Sequence, residues 1–307
     1  MRVLCWHTCE ALVQARERAC TLRFLAPDLG KSGSATIGVM MCRLALTLVV
    51  GMALVGTAEA ADPPALVRAR ALYNAGDYEA AIEAVTPLGQ TAATADAARL
   101  LMGRSRIELY RRDMDPAMLE AARVSLSLVF PPKLTPRDQV ELLIGMGQVL
   151  FFGDVFGGAA DLFDTAMGRN DLLTPKDRLA LLDWWASALD RQAQVLAPDR
   201  RGPIYERIAS RMETELRQDP TNPPANYWLI VGARGTGDVL RAWDAAVAGW
   251  VRASLIPSST MSIRADIDRL VTEALVVELG RSRGGPDADD AIAATRADWE
   301  LVKSQWK

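Results

Sequence analysis

The chain has 307 residues, half of them hydrophobic, which is enough to bury a large core. Residues 61–307 carry 29 Lys/Arg and 34 Asp/Glu and contain no basic block, which argues against nucleic acid as a partner. All four Cys and the single His precede residue 61. Residues 61–307 therefore cannot form disulfides, a Ser-His-Asp triad, a Cys nucleophile or an imidazole or thiolate zinc site.

Residues 40–60 have the three parts of a secretory signal peptide. Arg43 supplies the positive start, Leu44–Gly56 is an apolar run of thirteen residues, and Ala58-Glu59-Ala60 is an A-x-A cleavage signal. Thirteen residues make about 20 Å of helix, which is too short for the ~30 Å hydrocarbon core of a membrane. We expect cleavage after Ala60, no membrane span in the mature chain, and a periplasmic or secreted protein.

Residues 1–39 stand in front of this signal peptide and do not enter the prediction of the fold. They are either an over-extended start, with translation beginning at Met40 or Met41 rather than Met1, or a long basic segment of the signal. Gly30-Lys31-Ser32 looks like the end of a phosphate-binding loop. Leu25 stands where that motif requires its first glycine, so the match fails.

Helical spacing dominates the chain after residue 61. Thr135-Pro136-Arg137-Asp138 and Thr174-Pro175-Lys176-Asp177 share one pattern: a Thr cap, Pro in the first turn and a carboxylate at N3. Pro-rich breakers at 130–132 and 220–224 separate the segments. These signals predict about twelve helices in six antiparallel pairs.

The segments also resemble one another. Gly76-Asp77-Tyr78 is similar to the turn of a tetratricopeptide repeat, and numbering Gly147 as position 8 puts Phe163 at position 24. Trp228 and Gly232 supply the large and small residues of another first helix. The chain thus resembles tetratricopeptide-repeat proteins over 61–257, with 258–307 as a C-terminal helical hairpin cap. The resemblance implies an all-α, right-handed superhelical solenoid of about six antiparallel helix pairs. An irregular helical bundle is the alternative.

Small residues at position 8 should let paired helices approach closely. The candidates are Ala69, Gly103, Gly147, Ala186 and Gly232. In the repeat family, positions 9 and 12 face a concave groove that receives a partner peptide or helix. The resemblance therefore implies a partner-binding groove lined by Arg70, Tyr73, Arg104, Gln148 and Phe151. Its two arginines would suit a carboxylate or an acidic peptide.

Two classes of function fit these features. The first is a non-enzymatic interaction scaffold of the bacterial cell envelope, with no cofactor and no metal. The alternative is a carboxylate-dependent, peptidoglycan-directed hydrolase, which would need a Glu of raised pKa in a cleft. Asp287-Ala288-Asp289-Asp290 lacks the glycine of a calcium loop and is better interpreted as the charged first turn of the last helix. Trp184 and Trp185 must face different neighbours, because adjacent residues of a helix point in different directions.

Overall fold

The computed structural model describes residues 62–254, 260–285 and 288–306. Within these ranges the chain is all-helical, without a strand, and forms twelve helices packed in neighbouring pairs. The first six helices are α1 (Pro64–Ala75), α2 (Tyr78–Val85), α3 (Ala95–Asp113), α4 (Pro116–Ser127), α5 (Pro136–Phe152) and α6 (Phe156–Met167). The remaining ones are α7 (Pro175–Gln194), α8 (Gly202–Gln218), α9 (Pro223–Gly235), α10 (Val239–Ala253), α11 (Thr260–Gly284) and α12 (Ala288–Gln305). The expected number of helices is confirmed.

The predicted helix starts are also confirmed. The Thr135 hydroxyl accepts a hydrogen bond from the backbone N–H of Asp138 at 3.1 Å, and Thr174 accepts one from Asp177 at 3.1 Å. At α7 the Asp177 carboxylate also accepts from the backbone N–H of Thr174, which completes a capping box. Each cap satisfies a backbone donor that the first helical turn leaves without a partner.

Small residues lie where paired helices meet. All five candidate position-8 residues are buried. A Cβ added to Gly147 of α5 would lie 2.5 Å from the ring of Phe163 in α6, and one added to Gly103 of α3 would lie 2.6 Å from Leu126 in α4. The third pair therefore shows the contact between positions 8 and 24 that its sequence predicted.

The fifth pair makes a different close contact. A Cβ on Gly232 of α9 would meet the backbone of Ala209 in α8 at 2.9 Å. Gly232 is thus buried at a helix–helix contact, as predicted, but its nearest neighbour lies in α8 and not in its own hairpin partner, α10. Seven residues of connector separate α7 from α8, so α8 is displaced from α7 and packs more extensively on α9.

The two adjacent tryptophans have different neighbours, as predicted. Trp184 lies among aromatic rings, with Phe151 at 5.0 Å between centroids. Trp185 lies beneath the guanidinium groups of Arg207 and Arg211 of α8 at 5.5 and 5.7 Å. Both indoles are buried, so neither extends from the surface.

The C-terminal pair contains an irregular turn. Helix α11 changes to π-helical geometry over Val271–Leu275 and then resumes α-helical geometry. Its buried apolar residues recur every four positions, at 263, 267, 271, 275 and 279. An α-helix has 3.6 residues per turn, so this stripe would drift around the helix, and one wider turn absorbs part of the drift. Asp289 and Asp290 occupy the first turn of α12, as expected.

Candidate functional site

The predicted groove residues lie on the first helices of the first three pairs: α1, α3 and α5. The structure brings Tyr73, Arg104 and Gln148 together, and each of them is at most 2% exposed. The side chain of Arg70 is 22% exposed, and the whole residue Phe151 is 7% exposed. These residues form a buried polar and aromatic cluster, and their side chains offer little surface to a partner in this conformation.

Arg70 connects the first and third helix pairs. Its Nη2 donates to both carboxylate oxygens of Asp138 in α5, at 3.1 and 2.9 Å, although 68 residues separate the two. Its Nη1 forms an ion pair with Asp62, just before α1. Burial raises the pKa of Asp138, against the opposing effect of the Arg70 charge.

Arg104 is buried at the centre of the cluster. Its Nη1 donates to Oε1 of Gln148 at 2.7 Å, and its Nη2 lies 3.4 Å from Oε2 of Glu141. A Cβ at Gly145 of α5 would lie 3.1 Å from the Arg104 stem, so the glycine gives that side chain room. Burial raises the pKa of the neighbouring Tyr73 hydroxyl, which favours its neutral form.

Glu141 joins this cluster to the next first helix. Arg137 donates to Glu141 at 2.6 Å and to Asp177 of α7 at 2.9 Å. Burial raises the pKa of Glu141, although the charges of Arg104 and Arg137 act to lower it. Within the fourth pair, Arg178 of α7 donates to both carboxylate oxygens of Glu215 of α8, at 2.6 and 2.9 Å. Arginine–carboxylate contacts therefore connect α5 to the first helices of the first, second and fourth pairs, and a further one joins α7 to α8.

Phe151 belongs to an aromatic group formed by the C-terminal end of α5, the start of α6 and the middle of α7. Phe152, Phe156 and Trp184 surround it, with ring centroids 5.0–5.6 Å away. Edge-to-face contacts at this spacing stabilise a core. Phe151 thus has a packing role in the structure.

The pairing of the two arginines departs from the sequence-based expectation. We expected Arg70 and Arg104 to stand side by side on a concave wall as two cations suited to an anionic guest. Each instead has a carboxylate partner within the chain, and Glu108 pairs with Arg111 at 2.8 Å. Both guanidinium groups therefore have anionic partners without a guest, and whether a partner contacts these residues stays a prediction.

Buried acids bear on the hydrolase alternative. We expected that alternative to fail if no acid were buried, and six carboxylates are buried among the residues that the structure describes. They are Asp96, Glu108, Asp138, Glu141, Asp177 and Glu215. Glu141 has the raised pKa that a general acid needs, but it is 1% exposed and lies between two arginines. A substrate could reach it only after a rearrangement.

The carboxylates of this cluster were not identified as site residues from the sequence. Asp138 and Asp177 were identified only as helix-capping residues, and Glu141 was not singled out. The available signal was the repeated order of Arg or Lys followed by Asp at the start of α5 and α7. Local spacing cannot show that Arg70, two helix pairs away in sequence, reaches Asp138.

Comparisons with known proteins found no match for this chain. No family model matches the chain, and no curated protein or solved structure is significantly similar to it. Among the described residues, no helix is both long and apolar enough to span a bilayer. The same residues contain no group of three or more His, Cys, Asp or Glu positioned to hold a metal ion.

Proposed function

We propose that this protein is a non-enzymatic interaction scaffold of the bacterial cell envelope, built as a tetratricopeptide-like solenoid. Its first helices would form the inner wall that receives a partner peptide or helix, with Arg70, Tyr73, Arg104, Gln148 and Phe151 on that wall. The envelope location rests on the signal peptide at 40–60, which lies outside the described residues.

The contact between Gly147 and Phe163 carries this proposal. The two residues have repeat positions 8 and 24 in the sequence, and their close approach supports that register. The polar and aromatic character of the α1, α3 and α5 faces supports the assignment of the inner wall. A purely structural interior is more often apolar, because burying polar groups costs free energy unless all of them are paired.

Site-specific photo-crosslinking in envelope extracts tests the proposal. A photoreactive amino acid replaces Phe152, which is half-buried on the first-helix side between Tyr110 and Trp184. The matched control places the same group at Val124, which is 43% exposed on α4, a second helix. We expect one defined protein to be captured at 152 and not at 124. Capture at 124 alone would contradict a binding surface on the first helices.

The hydrolase alternative rests on Glu141 and its raised pKa. In that case the purified protein would release soluble fragments from peptidoglycan, and Glu141→Gln would abolish the release because the amide cannot donate a proton as an acid. Equal release by the wild type and by Glu141→Gln would exclude this residue as the acid. No release by the wild type would leave the scaffold proposal as the better explanation.

A further inference from the structure

The first hairpin, α1–α2, packs around a small hydrophobic cluster of its own. Leu66, Ala69, Tyr73, Ala81 and Val85 of the hairpin share that cluster with only two buried residues of α3, which are Ala98 and Leu101. The main core lies elsewhere and is centred on α5–α9. Units with few apolar contacts to the rest of a protein open at lower free-energy cost than its core.

Ion pairs help to hold this hairpin in place. Arg70 of α1 binds Asp138 across the second helix pair, as described above. Glu79 of α2 forms an ion pair with Arg112 of α3, and both of those side chains are about half exposed. An exposed pair contributes little to stability, so the half-buried contact to Asp138 is the stronger connection.

Part of the surface beneath the hairpin is polar. Ser105 lies on the same face of α3 as Ala98 and Leu101, and its buried hydroxyl has no hydrogen-bond partner. Water would satisfy this hydroxyl if the hairpin moved away, so closing the hairpin has a desolvation cost that an apolar contact would not have. The charged groups around this surface are Asp62, Arg70, Arg104, Glu108, Arg111, Arg137, Asp138, Glu141 and Asp177.

We propose that the α1–α2 hairpin is a displaceable cover over the polar face of α3 and α5. It leaves as a unit while the other helix pairs stay folded, and a partner reaches Arg104, Glu141 and Gln148 only in the open form. The role of the partner rests on the proposed function, whereas the opening is a property of this chain alone.

Hydrogen–deuterium exchange of the full chain tests the cover without any partner. We expect the amides of α1 and α2 to exchange faster than those of α5–α7. Asp138→Asn should accelerate exchange in the hairpin by about tenfold or more, because it weakens a charged hydrogen-bonded contact. Glu278→Gln is the matched control, since it weakens a comparable contact, between Arg234 of α9 and α11, far from the hairpin in sequence. It should leave the exchange of the hairpin unchanged.

Equal protection of the hairpin and of α5–α7 in the wild type would overturn the proposal. Equal acceleration of all helices by Asp138→Asn would overturn it as well.

If that variant does not fold, thiol labelling tests the cover instead. It uses a chain whose four native Cys are changed to Ser. Ser105→Cys, under the hairpin, should react at least about tenfold faster than Thr295→Cys, which is equally buried in α12. Equal rates would mean that the hairpin opens only when the whole protein unfolds.

These measurements separate the two proposals. Selective opening of the hairpin supports the cover whether or not crosslinking at position 152 captures a partner. Capture at 152 with no selective opening would support the scaffold and overturn the cover.

Discussion

Single glycines set how closely the helices of this protein approach. At Gly147 the absence of a side chain lets the ring of Phe163 occupy the space where a Cβ would stand. At Gly235 the ring of Tyr205 occupies the equivalent space, 2.2 Å from an added Cβ. Protein interiors are close-packed, so a larger residue at such a position must displace a neighbouring helix or ring.

Gly147→Leu should therefore destabilise the protein by about 1–3 kcal/mol, because it overpacks the contact between α5 and α6. The measurement is the free energy of unfolding from urea denaturation. Gly202→Leu is the control, since a Cβ at Gly202 would meet nothing within 4 Å. An unchanged free energy in Gly147→Leu would mean that the repeat register assigned to the third pair does not describe its packing.

The protonation of Asp190 makes the stability of the protein depend on pH. Its carboxylate accepts a hydrogen bond from the Tyr205 hydroxyl at 3.0 Å and one from Gln194 at 2.7 Å. Burial raises the pKa of Asp190 in the folded protein, and these hydrogen bonds only partly oppose it. The folded state therefore holds this proton more tightly than the unfolded state does. The resulting stabilisation is present at low pH and is lost as the pH rises through the folded-state pKa.

Asp190→Asn removes this titration and keeps an oxygen that can accept from Tyr205. We expect the wild type to lose stability relative to the variant as the pH rises from about 4 to 7. Urea denaturation of both proteins across that range measures the difference. A difference that does not change with pH, or one that favours the wild type more at pH 7, would contradict the raised pKa.

At the scale of helices, local sequence predicted most of what the structure contains. Thr-Pro starts, Gly-containing turns and apolar stripes identify helices because they depend on residues a few positions apart. The Trp184–Trp185 pair was assigned different neighbours for the same reason. The π-helical turn at Val271–Leu275 was not predicted, although the four-residue spacing of apolar positions was a visible signal.

The candidate site was harder to predict than the helices. The positions of Arg70, Arg104 and Gln148 on first helices followed from repeat numbering, but their burial did not. Burial depends on how far neighbouring pairs are rotated and spaced, and that is set by tertiary packing. The same limit explains why Gly232 was assigned to the contact with α10 when it lies against α8.

At the scale of the whole molecule, the proposed location of the protein depends on the signal peptide expected at 40–60. Asp62, which pairs with Arg70, is two residues past the predicted cleavage site. Cleavage after Ala60 would therefore leave this acid next to the new N-terminus. Mass spectrometry of the protein recovered from the bacterial envelope should find Ala61 as the first residue. A mature protein that retains Leu44–Gly56 would contradict both the cleavage and the periplasmic or secreted location.

The bond between Arg70 and Asp138 also has a consequence for biosynthesis. Ribosomes add about 5–20 residues per second, so the 68 residues between these two side chains take roughly 3–14 s to make. For most of that interval the α1–α2 hairpin has been made but the helix that anchors it has not. Its apolar side chains must be sheltered by α3 alone or by a chaperone. The first hairpin thus gains its anchor only when synthesis has reached the third helix pair.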